Sequence, residues 1–494
     1  MQKPRRFPNN ANTPPGTRRS RLLNHFYACS RLLIAYALLP NVAFWLGHRY
    51  IQMGNRGLFG LEYPVIGILG AFLPSWATIA MTATALLVDC LFVTAGAYYF
   101  TASEMLSCLR YATMLPLVPL STIVAGVVAF ALLLSCLVSR VASACRSWRT
   151  TVAVLLSFLV IVGTLDVAGG TSALSYRFPA VGGTWVLEVN TAGASSVTLL
   201  RAYYVIRFGS PRPPAPAKSA LQPAVDLAVR MKRSVATSGL PNIVLVLFES
   251  YGLALDPWMA RALEQPYRSQ EIAKRYAVES GAVPFTGPTV PGELRELCGL
   301  GVDNHTSLSS DQLSNSAPAA LRALGYSTTA VHGFTGVMYD RVVWYPKVGF
   351  QTSLFRRDLD AAGIPRCAGV FDGSCDIETA GFVGQMLARS EPGPIFIYWL
   401  TLDSHVPVPS GFQDRSIPGI LTTDSPLDSW MASVHRVNSV IAQVAARLQS
   451  RPTIFVVVGD HPPGFISAKR RAMFDSRSVP FFRLIPKALL KTGR

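Results

Sequence analysis

A chain of 494 residues exceeds what one compact core holds, so two or three structural units are expected. Half of its residues are hydrophobic and only 15% are charged, against roughly 25% in soluble globular chains. That balance excludes a disordered, collagen-like or coiled-coil chain, while a net charge of +17 leaves nucleic acid or an anionic membrane surface open until the charges are located.

Residues 1–25 carry Lys3, Arg5, Arg6, Arg18, Arg19 and Arg21, no acid, and many Pro and Asn. Such a segment reads as a basic tail with too little apolar surface to fold. Apolar runs follow at Leu32–Gly47, Leu61–Ser75, Ala77–Phe100, Leu115–Val138 and Thr151–Val167. A secretory signal would also place a basic region before an apolar one, but here further runs follow and no small-residue cleavage site is evident. Several runs reach the ~20 residues needed to cross a bilayer. Leu61–Ser75 is short and bracketed by Pro64 and Pro74, the pattern of a tilted or re-entrant segment. The loop Ser139–Arg149 contains Arg140, Arg146 and Arg149, and basic loops stay in the cytoplasm. About five spans put both the tail and this loop inside and everything after residue 170 outside; four do not. Arg49 and Arg56, in the first external loop, run against that count. The basic excess then reads mainly as topology, and no zinc-finger spacing or aromatic-basic module supports nucleic-acid binding.

The expected organisation is a basic tail (1–25), an α-helical transmembrane domain (26–170), a Pro-rich linker (171–240) and an α/β catalytic domain (241–494). The linker is marked by PRPPAPA at Pro211–Ala217, a semi-rigid spacer composition. Five of the eight cysteines, Cys29, Cys90, Cys108, Cys136 and Cys145, lie in or beside the apolar runs. No Cys-x-x-Cys pair exists, which argues against a zinc ribbon. Cys367 and Cys375 enclose a short Gly-containing loop in a domain expected to meet an oxidising compartment, so a bridge between them is predicted.

Asn242–Ser250 opens the last unit with IVLVLF, a run without alternation that predicts a strand buried on both faces, hence a parallel sheet. Similar runs recur at Ser327–Phe334, Pro394–His405 and Thr453–His461, with helical stretches such as Ala317–Gly325 and Met431–Gln449 between them. The strands end on Glu249, His332, Asp403 with His405, and Asp460 with His461. Ligands of open α/β sheets bind beyond the carboxyl ends of the strands. A single Asp-His pair is more often a surface pair, but four such endings at one edge point to a metal. Carboxylates and imidazoles without a thiolate suit one divalent ion, Mn²⁺ or Zn²⁺ ahead of Mg²⁺. At Thr286–Gly299, Gly287-Pro288 forces a turn and Pro291 suits the first turn of a helix, placing Thr289 at its N-terminus. Thr289 there is either an ordinary capping threonine or a nucleophile activated by an adjacent ion.

NIVLVLFES, TVPGELRELCG, VHGF with MYDRVVWYPKVGF, LDSHVPV and VVVGDH stand in an order that resembles the lipoteichoic acid synthase-like phosphoglycerol transferases. These are membrane enzymes of the alkaline phosphatase/sulfatase superfamily, related to bacterial phosphoethanolamine transferases, and the resemblance covers about residues 240–485. It implies a sulfatase-like fold and a metal held by Glu249, Thr289, Asp460 and His461. It also implies Thr289 as the nucleophile and substrate contacts from Tyr339, Arg341 and His405. His332 and Asp376 occupy family-like positions without an implied catalytic role. Pro288 and Val290 stand where the family has Gly or Ala, and Tyr339 where it usually has Trp. The implied activity is transfer of a phosphoglycerol-type head group from a phospholipid, phosphatidylglycerol ahead of phosphatidylethanolamine, to a glycan, lipid or polymer hydroxyl. The implied place is a bacterial inner membrane with the catalytic domain outside. The alternatives are a phosphoethanolamine transferase or a phosphodiesterase or sulfuric-ester-type hydrolase of the same superfamily; a formylglycine sulfatase lacks its Cys/Ser-x-Pro-x-Arg motif here.

Overall fold

A computed structural model describes residues 18–51, 58–97, 109–114, 117–143, 147–168, 180–181, 184–185, 195–196, 214–302, 305–389, 392–409, 425–465 and 467–491. The first helix, α1 (Arg18–Leu33), runs through one π-helical turn at Ile34–Leu38 into α2 (Leu39–Ile51). Then come α3 (Glu62–Gly70), α4 (Ser75–Ala97), a 3₁₀ turn at Leu109–Met114, α5 (Leu117–Ala142) and α6 (Trp148–Ala168). Among the described residues, four stretches are long and apolar enough to cross a membrane: Leu23–Leu46, Ser75–Thr94, Ser121–Ala142 and Trp148–Leu165. Their outer faces are apolar. Ile123, Leu133, Val160 and Leu165 are exposed, an arrangement that water penalises and hydrocarbon does not.

The Leu61–Ser75 run differs from a span. Its helix, α3, has nine residues and is therefore ~14 Å long, under half the ~30 Å of a hydrocarbon core. Four helices of spanning length plus this short one thus stand where about five spans were expected. Tyr63 and Ile66 of α3 are buried, and Tyr63 donates to Asp89 of α4 at 2.8 Å. Gly67 lets α3 touch its neighbours, since a Cβ there would lie 2.6 Å from Leu155 and 2.7 Å from Tyr36.

The catalytic half is built on a seven-stranded sheet of β1 (Asn242–Phe248), β2 (Tyr276–Pro284), β3 (Ser327–His332), β4 (Thr352–Leu354), β5 (Ile395–Leu400), β6 (Thr453–Gly459) and β7 (Ser478–Pro486). Its order is β4-β3-β5-β1-β6-β7-β2. The first five are parallel; β7 and β2 are antiparallel additions at one edge. The mainly parallel sheet predicted from the unbroken apolar runs is therefore present. All seven residues of β1 are buried. Val244, Val246 and Phe248 face one layer with α9 (Ser425–Arg447), where Trp430, Met431 and Val434 pack. Ile243, Leu245 and Leu247 face the other layer with α8 (Thr289–Cys298), through Leu294 and Leu297. Two layers meeting one strand explain why its sequence shows no polar alternation.

Most of the expected linker lies outside the described residues, but its last part is not a linker. Ala215–Pro216 pairs with Leu300–Gly301, and helix α7 (Gln222–Lys232) buries Ala224, Val225 and Ala228 in the same core as α8. The packed catalytic unit therefore reaches back to residue 214 instead of beginning at 241. The apolar spacing at 220, 221, 224, 225 and 228 is that of one helix face, a signal overshadowed by the prolines before it. Elsewhere, Cys367 and Cys375 form the predicted disulfide, beside a small hairpin of Arg366–Cys367 with Gly373–Ser374.

Candidate active site

Three adjacent strands, β5, β1 and β6, deliver their carboxyl ends to one point. Glu249 follows β1, Asp460 and His461 follow β6, and His405 lies in the loop after β5. Ligand atoms of Glu249, Asp460 and His461 lie within 4.8 Å of one another. His461 Nε2 is 3.4 Å from Glu249 Oε1 and 3.4 Å from Asp460 Oδ2.

Each side chain is aimed by its own hydrogen bonds. The Glu249 N–H donates to Thr401 Oγ1 at 2.9 Å, and the Ser404 hydroxyl donates to the Glu249 carbonyl. Asp460 Oδ1 accepts the backbone N–H groups of Ser250 at 2.8 Å and His461 at 2.6 Å. Its other oxygen, Oδ2, is buried without a hydrogen-bond partner. The His461 Nδ1 is 2.8 Å from the Pro462 carbonyl, so Nδ1 carries a hydrogen and Nε2 is the nitrogen turned toward Glu249 and Asp460, the one that would bind a metal on losing its proton.

The charges tell the same story. Burial raises the Glu249 carboxyl, but the His461 hydrogen bond and charge, with His405 and Ser250, hold it well below the usual range. Burial and then Glu249 push Asp460 up to about 8. Burial alone would lower His461, but Asp460 and Glu249 raise it to about 9. Both upward shifts are what concentrated negative charge produces, and a divalent cation relieves it. The orphan oxygen, the fixed tautomer and the hard donor set all fit a divalent metal ion.

Thr289 is the first residue of α8, behind Pro288, and its hydroxyl donates to Glu249 Oε2 at 3.1 Å. The N-cap position is taken by Pro288, so Thr289 is not an ordinary capping threonine. Close seating of α8 depends on Gly292, where a Cβ would come within 3.0 Å of Asp460 Cβ and 3.1 Å of its Cα. Arg295, also on α8, donates to the Gly459 carbonyl at 2.7 Å and reaches the Asp460 carbonyl at 3.5 Å. Helix and metal-ligand loop are thereby tied together.

Tyr339, Arg341 and His405 line the same pocket as Glu249, Thr289 and His461, with His332 at its wall. Arg341 is buried and forked onto Glu293 of α8, with Nε 3.2 Å from both oxygens and Nη2 3.0 Å from Oε2. Glu293 also accepts from the hydroxyls of Tyr398, at 2.9 Å, and Tyr345. Burial would lower the Arg341 pKa, yet Glu293 raises it above its ordinary value, so the guanidinium stays charged. Burial, then Arg341, lowers His332 to about 3, leaving a neutral imidazole. Burial also lowers His405. Asp376 sits outside this pocket lining: its Oδ2 accepts the N–H groups of Leu402 at 2.8 Å and Asp403 at 2.7 Å, shaping the loop that carries His405.

Sequence reasoning missed Ser250, Glu293 and the aromatic wall of Phe334 and Phe371. Ser250 has φ 54 and donates through its hydroxyl to Glu249 Oε1 at 2.9 Å. A non-glycine residue in that backbone region is uncommon and clusters at functional sites.

The sulfatase family model matches residues 241–488. Among solved structures, the chain is similar to the lipoteichoic acid synthase LtaP from Listeria monocytogenes, at 15% identity over 53% of this chain and 71% of that one, with a TM-score of 0.38. It is also similar to the Streptococcus pyogenes phosphoglycerol transferase GacH in complex with sn-glycerol-1-phosphate, at 14% identity over 55% and 77% of the two chains and a TM-score of 0.37. The C-terminal periplasmic domain of EcEptC from Escherichia coli, in complex with Zn, matches at 12% identity over 52% and 77%, with a TM-score of 0.33. None of the curated proteins matches the chain.

Proposed function

The chain belongs to the sulfatase family, and from that premise we propose a membrane-anchored phosphotransferase that moves a phosphoglycerol-type head group from a phospholipid to an acceptor hydroxyl. The observation that carries this reading is the Thr289 hydroxyl at the head of α8, 3.1 Å from a buried Glu249-Asp460-His461 cluster. Glu249, Asp460, His461 and Thr289 would hold a divalent ion, Mn²⁺ or Zn²⁺ ahead of Mg²⁺. When bound, that ion lowers the pKa of the hydroxyl and offsets charge on the phosphoryl group.

The chain's own residues supply position. The helix N-terminus and its free amides favour negative charge at Thr289. Thr289 Oγ attacks phosphorus, the bond from phosphorus to the diacylglycerol oxygen breaks, and the hydroxyl proton ends on diacylglycerol. Thr289 then carries a phosphoester. An acceptor oxygen attacks the same phosphorus, the bond to Thr289 breaks, and Thr289 recovers a proton from the acceptor. Arg341, fixed on Glu293, and His405 bind the head group and its phosphoryl oxygens, the electrostatic work that dominates phosphoryl transfer. An acceptor of glycan, lipid or polymer type enters from the aqueous side.

Phosphatidylglycerol is favoured over phosphatidylethanolamine for a specific reason. Among the described residues lining the pocket, Glu249 is the one carboxylate, and it belongs to the metal set. Glu293 is consumed by Arg341 and two tyrosines. An ethanolammonium head therefore finds no free counter-charge, whereas glycerol needs only hydrogen-bond partners. The test is mass spectrometry of the Thr289 peptide after incubation with each lipid. Added phosphoglycerol supports the reading; phosphoethanolamine alone reverses the donor, and an unmodified peptide under full turnover removes the covalent step.

A further inference from the structure

The reaction proposed above requires a donor held in a bilayer to meet Thr289, and the following inference rests on that reading. The 3₁₀ turn Leu109–Met114 lies between α4 and α5, in the membrane half, yet it packs on the catalytic domain. Tyr111 is buried against Phe334, Met338 and Leu402, and its ring centroid is 5.5 Å from that of Tyr339. Arg110 Nη2 is 2.7 Å from Asp340 Oδ2. These contacts meet the pocket at a strained point, because Tyr339 and Asp340 both have left-handed backbones, with φ of 58 and 54. Two consecutive bulky residues in that region persist only when surrounding contacts hold them. The turn they form presents Tyr339 and Arg341 to the pocket.

The next helical turn, Arg341–Trp344, is divided by its period. Arg341 and Trp344 point inward at 2% and 1% exposure, while Val342 and Val343 are about half exposed, as is Val337 before the turn. The rim beside the inter-span turn is thus apolar on its outside. It is also near the bilayer by construction: Tyr111 is ten residues from Ser121, where a spanning stretch begins. Ten residues reach at most about 36 Å, and the helix from Leu117 shortens that. A protein partner or an aqueous substrate gives no reason for apolar residues at this particular edge; lipid continuous with the spans does.

We infer that the Leu109–Met114 turn and the Val337–Val343 segment form a lipid-facing mouth of the pocket, through which a bilayer phospholipid presents its head group to Thr289. Tyr111 and Arg110 act as positioning residues on the Tyr339–Asp340 turn, and Val342 and Val343 seat the rim against acyl chains.

Full-length protein is assayed with phosphatidylglycerol in vesicles and with a water-soluble short-chain phosphatidylglycerol, taking the ratio of the two KM values. Replacing Val342→Asp together with Val343→Asp is expected to raise that ratio tenfold or more, and Val342→Leu with Val343→Leu to leave it near its starting value. Tyr111→Ala is expected to raise KM for the vesicle donor at least fivefold. In parallel, Arg110→Cys and Asp340→Cys in one chain are expected to be joined by a short thiol cross-linker. An unchanged ratio in the aspartate variant overturns the lipid-facing mouth, and failure to cross-link overturns the docking of the inter-span turn. No transfer by the unmodified chain from either donor overturns the parent reading and this inference with it, and it is told apart because it precedes any substitution.

Discussion

The hydroxyl of Thr289 and the carboxylate of Glu249 face each other at 3.1 Å, so deleting the oxygen removes the nucleophile with little loss of packing. Thr289→Ala is expected to lower head-group transfer by roughly 10³ or more and to leave the thermal unfolding midpoint within a few degrees. Transfer at near-wild-type rate would reject Thr289 as nucleophile. Glu293 is the contrasting case. It is fully buried and holds Arg341, so Glu293→Ala strands a buried guanidinium and two tyrosine hydroxyls. Breaking such a pair costs about 3–5 kcal/mol, measurable by chemical denaturation. Residues that end an apolar run were legible in the sequence: Glu249, Asp460 and His461 follow strands directly, and His405 lies in the loop just after one. Glu293 and Ser250 were not. Glu293 finds its partners 48, 52 and 105 residues away, and Ser250 matters through a backbone angle that no residue type announces.

Among the elements, α8 carries the tightest constraint. Gly292 brings it onto Asp460, so Gly292→Ala must push helix and metal loop apart by a few tenths of an ångström. Overpacking of this kind costs about 1–3 kcal/mol. Activity is expected to fall more steeply than stability, and a parallel loss of both would mean that the helix merely unfolds. At its other end Cys298 is shielded: burial, then Glu293, pushes its thiol up to about 12. Because the folded pKa is raised, almost no thiolate exists at pH 8. Native protein is therefore expected to leave Cys298 unlabelled by iodoacetamide at that pH, and unfolding to expose it. Cys367 and Cys375 are expected to label only after reduction. Sheet and helix patterns of this half were readable because unbroken apolar runs mean two covered faces. Helix α7 was hidden by the proline-rich stretch before it, whereas the shortness of α3 was marked in the sequence by Pro64 and Pro74.

Considered whole, the molecule couples two solvents. The turn at Arg110–Tyr111 touches the catalytic domain, which on the proposed membrane-anchored reading puts both on one side of the bilayer. If Ser121–Ala142 crosses it, as its length and apolar composition allow, the segment near Ser143 is expected on the opposite side. Ser143→Cys is expected to react with an impermeant maleimide only from the cytoplasmic face, and labelling from the catalytic face would overturn the arrangement. Metal removal acts at this scale too, since the three candidate ligands come together only in the folded chain. Chelation is expected to lower the unfolding midpoint, with Mn²⁺ or Zn²⁺ restoring it; an indifferent midpoint would argue against a resident ion.

Strand β1 sits between β5 and β6, and Ser250 is tied to Asp460 across 210 residues. During synthesis, β1 therefore emerges long before either neighbour exists. At about 5–20 residues per second, the wait is roughly 10–40 s. Throughout it, an unpaired strand with two greasy faces waits for its neighbours. The ligand trio is incomplete for the same interval, so the nascent chain has no three-ligand site for a metal ion until Asp460 and His461 have emerged. A ribosome stalled before β6 would release an anchored but inert chain. Quality control for this protein thus has a clear signature: β1 already made, its two neighbouring strands and the ligand trio still to come.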